Sequence, residues 1–344
     1  MARRHRLIVP ALSLLALALS PAAALAGAPR IGEADPRPKP PGAIRLATYN
    51  VENLFDDRDD PSLTGRHDDC HSRDKTVRAK PESQLRAVAD TIRRLDADII
   101  GLQEIESYDA LIEFREAYLK DLGYDHAISI DVGQERGIEQ AVLSRFPVKH
   151  VRVWPNMDLG GVHPEKYGDK KNWYAGEPIQ YRRSPLHVRV HVPASDGGAD
   201  YELDLFVVHH KSGRYNDYWR EKEADALVGI VDRLRREGDR NIAILGDFNA
   251  TPDERSVRTY IDAGFAHALD HSSGDPATLT HSSGRAIDFI LLGPGLRPEV
   301  VEGSGFALGT PQIPADADYR TAPKPEGYAA DHIPVAVDLV PRER

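Results

Sequence analysis

The sequence predicts an α+β domain of roughly 300 residues whose sheets are not parallel-only. Three observations predict it. From Ile44 to Leu339 apolar strand-like runs alternate with segments of helical spacing, and neither a fixed-period repeat nor a second linker interrupts them. Two runs of period-two alternation flank Asp196-Gly197-Gly198, the pattern of an antiparallel hairpin. Finally, 41% of the 344 residues are hydrophobic, enough to bury one large core.

Taken in order, the chain opens with Arg3, Arg4 and Arg6, an apolar stretch from Leu7 to Leu19, and Ala24-Leu25-Ala26. This is the form of an export signal cleaved after Ala26, residues 1–26, and the stretch is shorter than the roughly 20 residues of a membrane span. The Arg3-Arg4 pair leaves the general and twin-arginine routes both open. Residues 27–43 carry Pro36, Pro38, Pro40 and Pro41 and predict an extended tether, with order beginning near Ile44 and the domain filling residues 44–340. "IRLATYNV" is an apolar strand. Leu85, Val88, Ala89, Ile92 and Leu95 follow helical spacing, and "DIIGL" is a short strand running into Gln103-Glu104. "PLHVRVHV" and "YELDLFVV" form the hairpin. A helix over about Asp217 to Arg236 carries Ala224, Leu227, Val228, Val231 and Leu234 as an outer layer. Asn241 to Leu245, Ala286 to Leu292 and Ile333 to Leu339 are further strands.

Charge and cysteine content narrow the classes. The net charge is −10, and loss of the leader arginines leaves the mature chain more acidic still. Tight binding of nucleic acid by bulk electrostatics is excluded, because it rests on Lys and Arg meeting phosphates. A nuclease whose metal and local basic groups meet one phosphate is not. With Cys70 alone, no intramolecular disulfide forms.

Polar residues collect where the strands stop. In "ILGDFNATPD" an apolar strand runs through Gly246 to Asp247 and Asn249, just before a helix start at Thr251-Pro252. Asn50 and Glu52 follow the first strand, Glu104 the second, His209 follows "LFVV", and Asp331-His332 precede the last. Any one of these is more often a solvated turn than a ligand, so only the set is informative. Asp288 stands apart, since Ile287, Phe289, Ile290 and Leu291 surround it and a buried carboxylate needs a partner such as histidine.

The segments "TYNVENLF", "IIGLQEIE", "LSRFPV", "VVHHKS", "GDFNATPD", "AIDFILL" and "DHIPVAV", in this order, resemble the endonuclease/exonuclease/phosphatase superfamily, the deoxyribonuclease I-like group. The resemblance spans about Ile44 to Leu339, and the H-x-K-S form at His209 to Ser212 is most similar to the bacterial extracellular nuclease branch. It implies a four-layer α/β sandwich: two mixed, largely antiparallel β-sheets packed face to face, helices outside, and an active site at one sheet edge.

It also implies roles. Glu104 matches the principal ligand of Mg²⁺ or Mn²⁺, with Asn50 and Glu52 beside it, and an oxygen-only shell suits those ions. Glu52 stands where Asp is usual. Asp247 and Asn249 match the pair that orients the attacking water and a phosphate oxygen. His332 matches the histidine acting as base or phosphate contact, Asp288 the carboxylate fixing its tautomer, and Asp331 a helper to metal or histidine. His209 matches the histidine that donates to the phosphate or leaving oxygen; its neighbour His210 faces the opposite way along the strand. Arg145, Arg182 or Arg183, and Lys211 are candidate phosphate contacts.

Two features stand outside this set. Asp56 to Lys75, with His67, Cys70 and His71, matches no zinc spacing and predicts a solvated loop at the rim. Glu165 to Pro178 joins lysines to Trp173 and Tyr174, which suits base stacking or a lipid surface, and a plain surface loop accounts for it as well. The expected activity is therefore hydrolysis of DNA, with RNA open, by a monomer in the periplasm or the medium that makes no stable membrane insertion once the leader is gone. A lipid-headgroup or small-molecule phosphodiesterase is the alternative, and a catalytically silent binding protein a third reading.

Overall fold

The computed structural model describes residues 31–58, 79–132, 134, 136–194, 199–271, 274–314, 316–318 and 321–342. From β1 (Ile44–Leu54) the chain passes through α1 (Glu82–Leu95) to β2 (Ile99–Ile105), then α2 (Tyr108–Phe114), β3 (His126–Ser129), β4 (Glu139–Ser144) and β5 (Val148–Arg152). Four short strands, β6 (Asp158–Val162), β7 (Lys166–Tyr167), β8 (Lys170–Lys171) and β9 (Pro178–Gln180), form two small ribbons. The second half holds β10 (Leu186–Val192), β11 (Tyr201–His209), α3 (Asp217–Glu237), β12 (Ile242–Asp247), α4 (Arg255–Asp262), β13 (Ala266–His267), β14 (Asp288–Leu292), β15 (Phe306–Ala307) and β16 (Val335–Leu339).

These strands make two six-stranded mixed sheets, ordered β15-β16-β1-β2-β4-β3 and β13-β14-β12-β11-β10-β5. Side-chain alternation explains why both sheets are buried on both faces. Along β11, Leu203, Leu205 and Val207 enter the cluster between the sheets, whereas Phe206 and Val208 pack outward beneath Leu227 and Val231 of α3. Along β1, Leu46 faces inward while Ala47 and Tyr49 face Val88 and Ile92 of α1. Helix, sheet, sheet and helix thus stack as four layers. The sheets approach so closely that a Cβ on Gly101 would stand 2.3 Å from Leu245. The expected hairpin is β10 with β11, in register from Leu186 opposite Val207 to Val192 opposite Tyr201; its turn, residues 195–198, lies outside the described residues.

One expectation changes. Order begins before Ile44: Ile31 is 2% exposed within the inter-sheet core, and Glu33 exchanges backbone hydrogen bonds with Ala307 and Gly309 at 2.8 Å. The prolines downstream cannot donate, but the N–H groups of Gly32 and Glu33 can, and they bond the carbonyls of Pro276 and of Ala307 in β15. The leader and the segment holding His67, Cys70 and His71 lie outside the described residues. Among the described residues no helix is long and apolar enough to cross a membrane.

Candidate active site

Two parallel pairs bring the polar strand ends to one edge. Asn50 of β1 pairs with Gln103 of β2, and His209 of β11 pairs with Asp247 of β12, which in turn stands opposite Asp288 of β14. The backbone is bent where function would need it. The β1–β2 register slips after Asn50, the β2–β4 register slips around Glu104, and Glu52, Asn53, Glu104 and Asn249 have φ of 51°, 55°, 65° and 50°. Non-glycine residues rarely adopt these values, and a bulge re-aims its side chain. Gly246 (φ 142°) lies against β11, where a Cβ would meet the Val208 carbonyl oxygen at 1.9 Å, so the "GDFN" turn admits only glycine.

Asp247 is the hub. It accepts from Asn50 Nδ2 and Asn249 Nδ2, both at 3.1 Å, and from the Asn249 backbone N–H at 2.8 Å. Burial, offset in part by His332 and reinforced by Asp288, pushes its carboxyl up to about 6. His332 Nδ1 stands 2.9 and 3.0 Å from the two oxygens of Asp288, so the ring proton sits on Nδ1 and Nε2 faces Asp247 Oδ2 across 3.8 Å. Burial alone would lower the imidazole, but Asp288 and Asp247 raise it well above the usual range. Thr280 holds Asp288 in turn: its hydroxyl donates to Asp288 Oδ2 at 2.7 Å and accepts from the N–H groups of Ile287 and Asp288.

On the other side, His209 is buried, with Nε2 3.9 Å from Glu104 Oε1 and 3.5 Å from Asp247 Oδ2. Arg183, also buried, directs Nη1 at His209 Nε2 and at the His210 carbonyl. Burial and the charges of Arg183 and Arg136 hold His209 well below the usual range, hence neutral. With Nε2 accepting from Arg183, the ring proton is on Nδ1, which has no hydrogen-bond partner among the described residues. His210 turns away to Tyr260 and Glu223.

Glu104 Oε2 accepts from the Asn53 N–H at 3.0 Å, while Oε1 has Arg136 at 3.7 Å and no shorter partner among the described residues. Glu52 is otherwise engaged: Lys324 donates to it at 2.7 Å and Tyr328 at 2.8 Å. Asp331 sits partly exposed at the rim, 3.4 Å from His281 Nε2; its crowded surroundings would raise it, but His281 and His332 hold it well below the usual carboxylate range. Burial pushes Lys80 down to about 8 against the pull of Glu52, and its Nζ donates to the Glu52 carbonyl at 3.0 Å. Two groups bring possible ligand atoms within 4.8 Å of one another, His281 with Asp331 and His332, and Asp247 with Asp288 and His332. This buried carboxylate and histidine cluster is consistent with a divalent metal site. The burial that raises Asp247, and an Oε1 of Glu104 that no donor nearer than Arg136 meets among the described residues, fit a cation, which Glu104 and Asp247 would hold.

Arg145 does not join this edge. It follows β4 at Ser144, opposite Ile99 at the start of β2, so the length of β2, roughly 20 Å, separates it from Glu104. Its guanidinium instead ties Asp96, Asp98 and the Leu122 carbonyl together at 2.8–2.9 Å. Lys211 lies over the Trp219 ring at 5.3 Å, and Trp173 is 92% exposed between β8 and β9. Thr280, His281, Lys80, Lys324 and Arg136 escaped the sequence reading. None has a motif of its own, and Lys324 and Arg136 reach the site from loops far in sequence from Glu52 and Asn53.

Residues 47–332 match the model of the Endonuclease/Exonuclease/phosphatase family. Solved structures share the fold. The human Nocturnin catalytic domain with bound sulfate anion aligns at 14% identity and a TM-score of 0.55, over 87% of this chain and 95% of that one. The 3' phosphatase NExo from Neisseria, bound to a product DNA hairpin, aligns at 18% identity and 0.52, over 86% and 99%. A family protein from Bacteroides thetaiotaomicron aligns at 18% and 0.51, over 86% and 97%. No curated protein matches the chain. With the matched span, the layered sheets and the carboxylate–histidine edge in agreement, this chain belongs to the endonuclease/exonuclease/phosphatase family and is a hydrolase of phosphoester bonds.

Proposed function

We propose that the chain is an exported phosphodiesterase of the bacterial extracellular nuclease type, dependent on Mg²⁺ or Mn²⁺, that cleaves DNA by in-line attack of water. The observation that carries this reading is the pairing of Asp247 with an Asp288-backed His332 at the same edge as Glu104 and Arg183. Phosphodiester cleavage needs a carboxylate to orient water and positive groups for the equatorial oxygens and the leaving alkoxide. Asp247, fixed by Asn50 and Asn249, orients the water. His332 and Arg183 face the charge that develops on phosphorus oxygens, and His209 turns its Nε2 to the same edge, between Glu104, Asp247 and Arg183. A divalent ion held by Glu104 and Asp247 would add Lewis-acid neutralisation. The H-x-K-S form and the leader-like N-terminus support an exported nuclease, and DNA is what NExo holds.

The first experiment incubates protein begun at Gly27 with supercoiled plasmid and Mg²⁺, with EDTA and folded Glu104→Ala and His209→Ala variants as controls. Nicked and then linear DNA in the Mg²⁺ lane alone supports the reading. Cleavage that persists in EDTA, or in both variants, overturns it. The exposed Trp173 among Lys166, Lys170 and Lys171 favours a second reading, a lipid-headgroup phosphodiesterase, which turnover of sphingomyelin and not plasmid would establish.

A further inference from the structure

Next to the site, on the far side of Asn249, lies a cavity of about 520 Å³. That volume falls in the range of small-ligand pockets. Asn249 is the wall between the two spaces: its Nδ2 bonds Asp247 and the His210 carbonyl, and its flank lines the cavity. Three arginines reach in, and they are not alike. Arg220 is buried and spoken for, with Nη2 on Asp217 and on Glu254 and Nη1 on the carbonyls of Lys211 and Gly213. It thereby pairs with both of the cavity's acids, and the three arginines against two carboxylates leave the lining with a net positive charge. Arg214 lies over the Tyr215 ring at 5.4 Å, and Arg285 gives Nε to Ser283 Oγ at 3.0 Å. Among the described residues neither meets a carboxylate at ion-pair distance. In a chain with 54 acidic and 44 basic residues, two unpaired guanidinium groups facing one cavity are out of balance with their surroundings.

We propose that this cavity is a subsite for a second phosphate of a nucleic-acid strand, held by Arg214 and Arg285 beside the phosphate being cut. The idea rests on the phosphodiesterase reading and adds to it a second phosphate subsite that favours a strand. Arg285 stands in the same loop as Thr280, which fixes Asp288, so an anion seated there is placed by the segment that orients His332. Guanidinium groups bind phosphate oxygens through charge-assisted, forked hydrogen bonds. A lone phosphomonoester or a headgroup carries no neighbouring phosphate to fill the cavity, whereas a strand always does. The subsite therefore selects for a polymer without a basic surface elsewhere.

The test compares wild type, Arg214→Gln, Arg285→Gln and the double variant on bis(p-nitrophenyl) phosphate and on a short single-stranded oligonucleotide. Each substitution is expected to lower kcat/KM on the oligonucleotide about tenfold, mainly through KM, and to leave bis(p-nitrophenyl) phosphate hydrolysis unchanged. Oligonucleotide binding in EDTA, followed by fluorescence anisotropy, should weaken, and the slope of log K against log salt should shrink by about 0.7 per arginine. An unchanged KM and salt slope in the double variant overturns the proposal, as does an equal loss on both substrates. Because binding is read without metal or turnover, it decides the subsite even if the plasmid assay fails. A wild type that hydrolyses sphingomyelin vesicles and does not bind the oligonucleotide refutes the subsite while leaving phosphodiester chemistry intact.

Discussion

Replacing Asp288 by Asn tests the centre of the site. The carboxylate lies 2.9–3.0 Å from His332 Nδ1 and takes a 2.7 Å hydrogen bond from Thr280. An amide of the same shape removes the charge and presents an NH₂ where the ring N–H needs an acceptor. At an effective dielectric of about 20, opposite charges this close attract by about 5–6 kcal/mol. Asp247, at 3.8 Å from Nε2, keeps part of that attraction for the imidazolium. Loss of the charged, correctly oriented ring should lower kcat/KM roughly 10²- to 10⁴-fold, the range for a positioned acid or base. Thr280→Ala leaves the carboxylate in place and frees only its orientation, so it should cost roughly tenfold in rate and about 1–2 kcal/mol of stability. The assay is Mg²⁺-dependent hydrolysis of bis(p-nitrophenyl) phosphate, with circular dichroism to show that both variants fold. An Asp288→Asn protein within about threefold of wild type, or a Thr280→Ala protein more impaired than it, would refute this account of His332.

Gly246→Ala forces a Cβ to 1.9 Å from the Val208 carbonyl at φ 142°, and should lower the urea midpoint by the equivalent of about 3 kcal/mol or more; an unchanged midpoint would mean that the turn tolerates a side chain. Arg145→Met should leave kcat/KM unchanged and cost about 1–2 kcal/mol of stability, since Arg145 ties Asp96, Asp98 and Leu122, and a folded variant with lost activity would return Arg145 to the site. Burial, with Asp131 adding and the Val132 N–H opposing, pushes Glu139 up to about 8. Unfolded glutamate titrates near ~4.3, so the stability Glu139 allows is full below that pH and is lost as pH rises through about 8. Glu139→Gln should therefore match wild type in urea melts at acid pH and exceed it by up to about 5 kcal/mol at alkaline pH; a difference that does not vary with pH would rule this out.

Patterns short in sequence were legible. The alternation in "PLHVRVHV" and "YELDLFVV" is the β10–β11 pair, and the polar residues after the apolar runs do meet at one edge, because a strand's end is a local signal while its neighbours share its direction. What depends on distant partners was not legible. Nothing near Glu52 shows that Lys324 and Tyr328 occupy its oxygens, and nothing in "LSRFPV" shows at which end of the sheet Arg145 falls, since that follows from register. Tyr49, an apolar-looking strand residue, is fully buried beside Thr91, and no spacing reports such a contact. The tether was misjudged for a similar reason: four prolines look extended in composition, but Ile31 ahead of them finds the core.

The left-handed backbone at Glu52, Asn53, Glu104 and Asn249 has a consequence for anyone who would evolve this protein in the laboratory. At each of these positions glycine would relieve roughly 1 kcal/mol of conformational cost. A screen that rewards heat tolerance alone would thus enrich exchanges along the cleft floor and deliver sturdier, idle variants. Libraries meant to keep turnover should hold these four codons fixed and look for robustness elsewhere, on the helical layers.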